Sequence, residues 1–467
     1  MCRLTSINSS NCAHLSGTQI ILSGDNTMLN ITQLKITPIA AAIMTLLSVQ
    51  ALANDSTSNQ NQYGVGNIGL VTQSLASFST ATQTQNGTTN YAGVEQIDDM
   101  NSNSLQNQSG TLNAVLSVQR GSDTGSSSQT QAGYDNDARS WQQDQVSSYA
   151  TAEQYGNSND TSIYQEQTAA SNAYIHQSGN SNRAATYQKY ENSNINLQQS
   201  GEYNDAYVEQ YDGIDNNANI VQSGIDNYAE TWQEEQLASV SYINQQGVYN
   251  DAIVDQLVGE NNLATIWQSG GQNGALVEQF DATGMNAYVS QNGSLNLSYI
   301  QQEGVNHNLT ITSNGTGNEL YAGTEYDTNQ GGQYGINQTA SLTQNGVDNK
   351  INLSQTGSYN ELYFTQNGTG NTLTSKQQDG GNLASGYSVG TDNSVDLAQS
   401  GSDNIAWVEQ QYGDNNLSQI SQSDSNNYAS TVQGGSGNQA YITQSGYNQA
   451  AYITQYGSGN LATSNQN

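Results

Sequence analysis

Counting along the chain from Asn204, every second residue is small, aliphatic or an amide: Asn204, Ala206, Val208 and Gln210, then Asn216, Ala218, Ile220 and Gln222. The residues between them carry charge or aromatic rings, as at Asp205, Tyr207 and Glu209. Elsewhere the same intervening register holds Arg183, Asp251, Asp255, Glu278 and Glu409. Strict alternation is the signature of a β-strand with one face buried and the other wet. Turn sequences such as GEYN, GIDN and GVYN separate the alternating runs. The pattern therefore predicts short strands joined by tight turns.

The order polar, small, aliphatic, Gln occurs twice in a unit of 22 to 23 residues that recurs along the chain. One copy places Ser171, Gln177, Gly179, Asn182, Ala184 and Gln188 at fixed offsets. The next has Ser193, Gln199, Gly201, Asn204, Ala206 and Gln210, and a later one Ser239, Gln245, Gly247, Asn250, Ala252 and Gln256. Ser79, Gln85, Gly87, Asn90, Ala92 and Gln96 match as well, and Asn216 and Asn262 stand where other units have Ser. The series runs from Ser56 to Gln466.

Two short strands cannot bury an inner face by themselves, so the units must stack. The expected fold is all-β: a β-solenoid of about 18 two-strand rungs, amyloid-like in its cross-β spacing, at roughly 4.7–4.8 Å per rung and on the order of 85 Å long. Stacking sets like residues above one another. Gly then permits the turn, Ala keeps the sheets close, and Ser, Asn and Gln supply inward groups that bond from rung to rung. A complete motif, Gln455, Gly457, Asn460, Ala462 and Gln466, reaches almost to the last residue, and no capping segment precedes Ser56. The expectation is that both end rungs are open strand edges that can template another chain.

Composition narrows the choice between ordered and disordered readings of so amide-rich a chain. Only 8 of 467 residues are Lys or Arg against 40 Asp or Glu, a formal net charge of -32. Such a surface cannot track phosphates, which excludes nucleic-acid partners. From Met28 a single Lys35 precedes the apolar run Ile39 to Val49, followed by Ala51-Leu52-Ala53. This is the layout of a secretory signal peptide cleaved after Ala53, too short to span a membrane. Residues 1–27 then read as an upstream extension of the frame, and 54–467 as the mature chain, with no transmembrane segment left after signal removal. Cys2, Cys12 and Pro38 are all lost with the leader, so the exported part has neither thiol nor proline. A secreted disordered chain of this length would carry proline; a stacked ladder cannot spare the backbone donors that proline removes.

The recurring Ser-x5-Gln-x-Gly-x2-Asn-x-Ala-x3-Gln resembles the curlin repeat, and the chain is similar to curlin-family proteins. That resemblance implies a structural subunit of extracellular curli-type amyloid fibres, polymerising end to end and serving adhesion and the biofilm matrix. It also implies secretion to the cell surface through a curli export pore with chaperones, partnership with itself and other curlin subunits, and inward Ser, Gln and Asn positions that govern polymerisation. Three features depart from the family pattern: the number of repeats is several times larger, no Gly-rich export segment precedes them, and the register falters between Glu319 and Gln333 (ELYAGTEYDTNQGGQ). The last reads as a bulged loop or a joint between two blocks. A minor nucleating curlin held at the cell surface and a monomeric solenoid adhesin are the alternatives.

Little in the sequence suggests chemistry. His176 falls at an outward position, where a solvated imidazole is the plain reading, and the only other histidine of the exported part is His307. Carboxylates such as Glu234 and Glu235 follow the outward register without an acid–base pair geometry. The turns lack the Gly-Gly-x-Gly-x-Asp pattern of calcium-binding β-rolls, so neither catalysis nor a cofactor or metal is expected. Outward rings, Tyr207, Tyr228, Trp232, Trp267 and Trp407, read first as cross-rung stabilisers and second as an adhesive or bundling face.

Overall fold

The computed structural model describes residues 53–323 and 331–467. The proposed leader with Ala51, the 1–27 extension, Cys2, Cys12 and Pro38 lie outside the described residues; Ala53 is the first of them. Alternation along the chain becomes 37 strands, with no helix among the described residues. Strands pair in parallel with the strand two places along: Arg183–Lys189 lies between Asp160–Glu166 on one side and Asp205–Tyr211 on the other. The chain therefore runs strand, corner, strand, corner, and builds two parallel sheets that face each other. Glu319–Ala322 and Gly332–Ile336 share one level, both pairing with Leu297–Val305. The 37 strands thus make 18 rungs of a β-solenoid.

The space between the sheets is narrow, and the inward residues are sized for it. Ala206 and Val208 from one sheet meet Ala218 and Ile220 from the other, none more than 2% exposed. The same small-then-aliphatic pair continues through most rungs, which keeps the sheets at close and constant separation. In the earliest rungs an amide replaces the aliphatic residue. Gln83 Nε2 donates to Gln106 Oε1 at 3.0 Å, and Gln106 to Gln129 at 2.9 Å, so the amides of this polar start bond along the axis, with Gln83 Oε1 left unpaired.

Corners set the repeat length. At the first corner Gly201 adopts φ +107, and a Cβ there would stand 2.1 Å from the carbonyl oxygen of Gly224 in the next rung. Any side chain would break the ladder, which is why glycine holds this level. Besides the glycine, the residue two places on is also at positive φ without being glycine: Tyr203 at φ 58, Asp226 at φ 53 and Tyr249 at φ 57. That conformation costs an L-residue on the order of 1–2 kcal/mol, and the corner recovers it by bonds from the residue that follows. Asn204 Nδ2 donates back across the corner to the Ser200 carbonyl at 3.1 Å.

The second corner changes along the rod. Early in the chain it is wide, with two left-handed residues, as at Asp98 and Asn101 (φ 56 and 52). From Gly304 onward it takes the tight form of the first corner, with Asn306 at φ 56. Steps between rungs accordingly shorten from 23 residues, as Thr57 to Thr80, to 22, as Thr339 to Glu361. The step Asn308 to Thr339 is 31 residues, because one strand ends at Ala322 and the next begins at Gly332 on the same level. Pairing on either side keeps its register, Leu297 with Glu319 and Gln302 with Gln333.

Two substitutions separate the roles of the corner residues. Leu295 is left-handed at φ 58 and exposed, so Leu295→Asn relieves strain and is expected to stabilise the soluble chain by about 0.5–1 kcal/mol. Gly201→Ala meets the Gly224 carbonyl and is expected to destabilise by about 2 kcal/mol or more. Denaturant midpoints of the freshly purified monomer measure both, and equal shifts of the same sign would contradict this account.

Candidate functional site: the axial ladders

Inside the corners, each rung places polar side chains where water cannot reach them, and the geometry leaves them one kind of partner. Gln210 is fully buried at the end of its strand; its Nε2 donates to Gln233 Oε1 at 2.8 Å while its Oε1 accepts from Gln188 Nε2 at 2.9 Å. This column runs without interruption from Gln73 to Gln466, one Gln per rung, in 17 amide bonds of 2.7–2.9 Å. It crosses the long insertion intact: Gln302 donates to Gln333 at 2.8 Å and Gln333 to Gln355 at 2.8 Å.

A second column is all Asn, from Asn67 to Asn460, and it runs the other way. The backbone N–H of each Asn donates to Oδ1 of the Asn one rung earlier, 17 times, at 3.0–3.2 Å. Asn204 Nδ2 reinforces this by donating to Asn182 Oδ1 at 3.0 Å and to the Gly224 carbonyl at 3.1 Å. Gln177, Gln199 and Gln245 belong to a third column, in which Gln177 donates to Gln199 at 2.8 Å and Gln199 to Gln222 at 2.8 Å. Ser313 and Ser388 interrupt its amides, each donating a hydroxyl to the Gln above it.

The Ser position, read from Ser171, Ser193 and Ser239, is an acceptor for the backbone N–H of the next rung: Ser193 N–H donates to Ser171 Oγ at 3.1 Å. Other residues fill that role along the rod. Asn262 N–H donates to Ser239 Oγ, Met285 N–H to Asn262 Oδ1, and His307 N–H to Met285 Sδ. The motif residues are thus placed as follows. Ser171, Ser193 and Ser239, the Asn and Gln of all three quoted units, and Ala184, Ala206 and Ala252 are buried, while Gly179, Gly201 and Gly247 lie at the partly exposed corner.

His307 does a job its sequence position does not announce. It is 1% exposed; Nε2 donates to the Glu303 carbonyl at 2.9 Å, and Nδ1 accepts the Gln338 N–H at 3.1 Å. Burial holds its imidazole below the usual range, in the neutral form that this pairing needs. His176, by contrast, is outward and partly exposed, 3.2 Å from Glu153 and packed against Tyr155 and Tyr174.

Not every carboxylate is on the surface. Asp99 and Glu191 sit inside the wide second corner at 1% and 3% exposure. Asp99 Oδ1 accepts the Ser122 N–H at 2.8 Å, and Ser193 Oγ donates to Glu191. Burial pushes both carboxyls up to about 7. The alternating pattern could not reveal them, because they lie on corner segments where alternation stops. Glu234 and Glu235 are on the outside, and among the described residues no group of three or more His, Cys, Asp or Glu is arranged to hold a metal ion.

Outward rings stack along the axis. Trp141, Tyr164 and Tyr187 form a run with centroids 6.4 and 5.1 Å apart, and Tyr242 lies 5.3 Å from Trp267. Tyr207 and Tyr228 donate to Glu209 and Glu230 two residues along their own strands. Trp232 is partly buried, whereas Trp267 and Trp407 are 41% and 38% exposed.

Two measurements probe the interior. Gln233→Ala leaves Gln210 and Gln256 without their axial partners and is expected to cost about 1–3 kcal/mol, whereas outward Gln246→Ala costs less than about 0.5 kcal/mol; similar losses would mean that the columns carry no special stability. The buried acids predict a pH dependence. The folded chain keeps protons on Asp99 and Glu191 from about pH 4 to about 7, while the unfolded chain has released them, so their contribution to stability falls as pH rises through that window. His307 acts oppositely, losing stability as pH falls below the unfolded histidine value. Asp99→Asn should therefore raise the thermal midpoint at pH 8 and leave it nearly unchanged at pH 4, as read by circular dichroism.

Comparison with known proteins matches this architecture to one repeat. The curlin associated repeat matches residues 191–224, 390–423, 425–457 and 442–467. Among curated proteins none matches the chain. No helix among the described residues is long and apolar enough to cross a membrane. Repeat and solenoid together point to a structural protein. The matched stretches contain the Gly corner, the Asn column and the Gln columns described above, and the chain carries curlin associated repeats at these places.

Proposed function

We propose that the chain is the structural subunit of an extracellular curli-type amyloid fibre, exported after cleavage behind Ala53 and stacked end to end in the matrix that holds cells to surfaces and to one another. The observation that carries this reading is the pair of unbroken columns running in opposite directions. Cut at any level, the solenoid presents a Gln Nε2 donor and an Asn Oδ1 acceptor on one side, and a Gln Oε1 acceptor with Asn N–H donors on the other. The two cut faces are complementary, so a rung that fits its neighbour within the chain also fits a rung of another molecule. Such a heterologous contact does not close and generates a filament with a direction. Partners under this reading are further copies and other curlin subunits, with an export pore and chaperones on the way out.

Purified residues 54–467 are expected to form unbranched fibres with a meridional reflection near 4.7–4.8 Å, by nucleated kinetics that added fibre ends shorten. A chain that stays monomeric and solenoidal under these conditions would favour the adhesin reading instead. Deletion in the cell that releases unattached subunits, rather than removing fibre mass, would favour a nucleator.

A further inference from the structure

The two outer faces of the solenoid differ in charge more than the repeat requires. All six Lys and Arg of the described residues, Arg120, Arg139, Arg183, Lys189, Lys350 and Lys376, lie on strands of the same sheet. There they pair largely between rungs, Arg120 with Glu95 at 2.7 Å, Lys189 with Glu166 at 3.3 Å and Lys350 with Glu319 at 3.1 Å. Between its corners the opposite face carries only Glu153, Glu361 and Glu409 as carboxylates, and from Asn194 to Asn345 its outward positions hold no charged residue. Asn, Ser, Thr, Gln and Tyr fill most of those positions instead, with Val221, Val240, Leu263 and the exposed Trp267, while the other exposed tryptophan, Trp407, lies further along the same face on the strand that carries Glu409.

We propose that this uncharged face is a lateral interface between two copies of the chain, packed face to face, with the charged face left in solvent. The proposal rests on the fibre reading and adds how fibres thicken. Three observations select a second copy as the occupant. The chain carries a net charge of -32, so two copies repel least through this face. The outward amides are already bonded along the axis, Asn172 to Asn194 at 2.8 Å, Asn314 to Asn345 at 2.8 Å and Asn345 to Asn367 at 2.7 Å; covering them strands few polar groups. Finally, a second copy brings the same rung spacing, so side chains from the two faces can interdigitate level by level as in a dry zipper. The whole face, with its three carboxylates, is roughly 85 Å by 20 Å; the seven uncharged rungs from Asn194 to Asn345 are roughly 34 Å by 20 Å, on the order of 700 Å² per copy, close to the 800 Å² that a stable interface takes from each partner. Exposed Trp267 and Trp407 would serve as anchors, the residue type that dominates such contacts.

The test places like charges on alternate rungs of this face, Asn219→Glu, Thr265→Glu and Thr310→Glu together, and compares them with Ser162→Glu, Ile253→Glu and Asn352→Glu on the other. Mass per length by scanning transmission electron microscopy is expected to correspond to two solenoids in the wild-type fibre, to halve in the first variant and to stay unchanged in the second. Oxidative footprinting of the wild-type chain gives a reading independent of variant folding: Trp267 and Trp407 become protected on assembly while Trp232 does not. A single-solenoid mass per length in the wild type, equal loss in both variants, or unprotected Trp267 and Trp407 in the fibre would each overturn the proposal. If no fibre forms at all, the fibre reading fails by itself, and sedimentation then decides the pairing: a dimer dispersed only by the first variant supports it, and a monomeric wild type overturns it.

Discussion

A buried primary amide must find partners for both a donor and an acceptor, and in this chain the partner is the same amide one rung away. That constraint sets the rest of the structure. Because Gln210 bonds to Gln188 and Gln233 along the axis, with the Asn194 carbonyl taking its second N–H, rungs must lie at strand spacing, in register, with like residue over like. A slip of one residue would turn every buried amide outward and every charge inward. The apolar core contributes closeness, with Ala and Val thin enough to let the sheets approach, but it would tolerate other registers. The amides do not.

Much of this was legible in the sequence. Period-two alternation from Asn204 and the recurrence of Gln, Asn and Ser at fixed offsets were enough to predict strands, stacking, the number of rungs and which side chains turn inward, because one physical rule repeats at each level. What escaped was whatever depends on neighbours several rungs away or on segments without alternation. The corner has positive φ at Tyr203 as well as at Gly201, and nothing in a Tyr codes for that conformation; it is imposed by the bonds of Asn204. Asp99 and Glu191 are buried acids that the pattern does not mark, since the wide corner that encloses them has no strand period. His307 occupies an acceptor position that elsewhere holds Ser, Asn or Met, a likeness of role that residue type conceals.

Part of the charge at the corners is spaced by the same logic of stacking, although on the strands Asp137 stands opposite Asp160 and Asp255 opposite Glu278. Like charges one rung apart face each other at strand spacing, where repulsion is at its strongest. Asp98 and Asp144 in the wide corner are separated by Gly121, and Asp348 and Asp392 by Gly370. In both cases the intervening residue has no side chain, and a Cβ there would meet the neighbouring carboxylate oxygen at 2.4 and 2.3 Å respectively. Six cations on one sheet neutralise part of the rest by pairing mainly between rungs.

The interrupted strand between Ala322 and Gly332 has a further meaning. One strand ends and the next begins on the same level with the Gln column unbroken, Gln302 to Gln333 to Gln355. The stack therefore accepts added sequence within a strand without losing its order, which makes the rod a scaffold that can be lengthened at a chosen height.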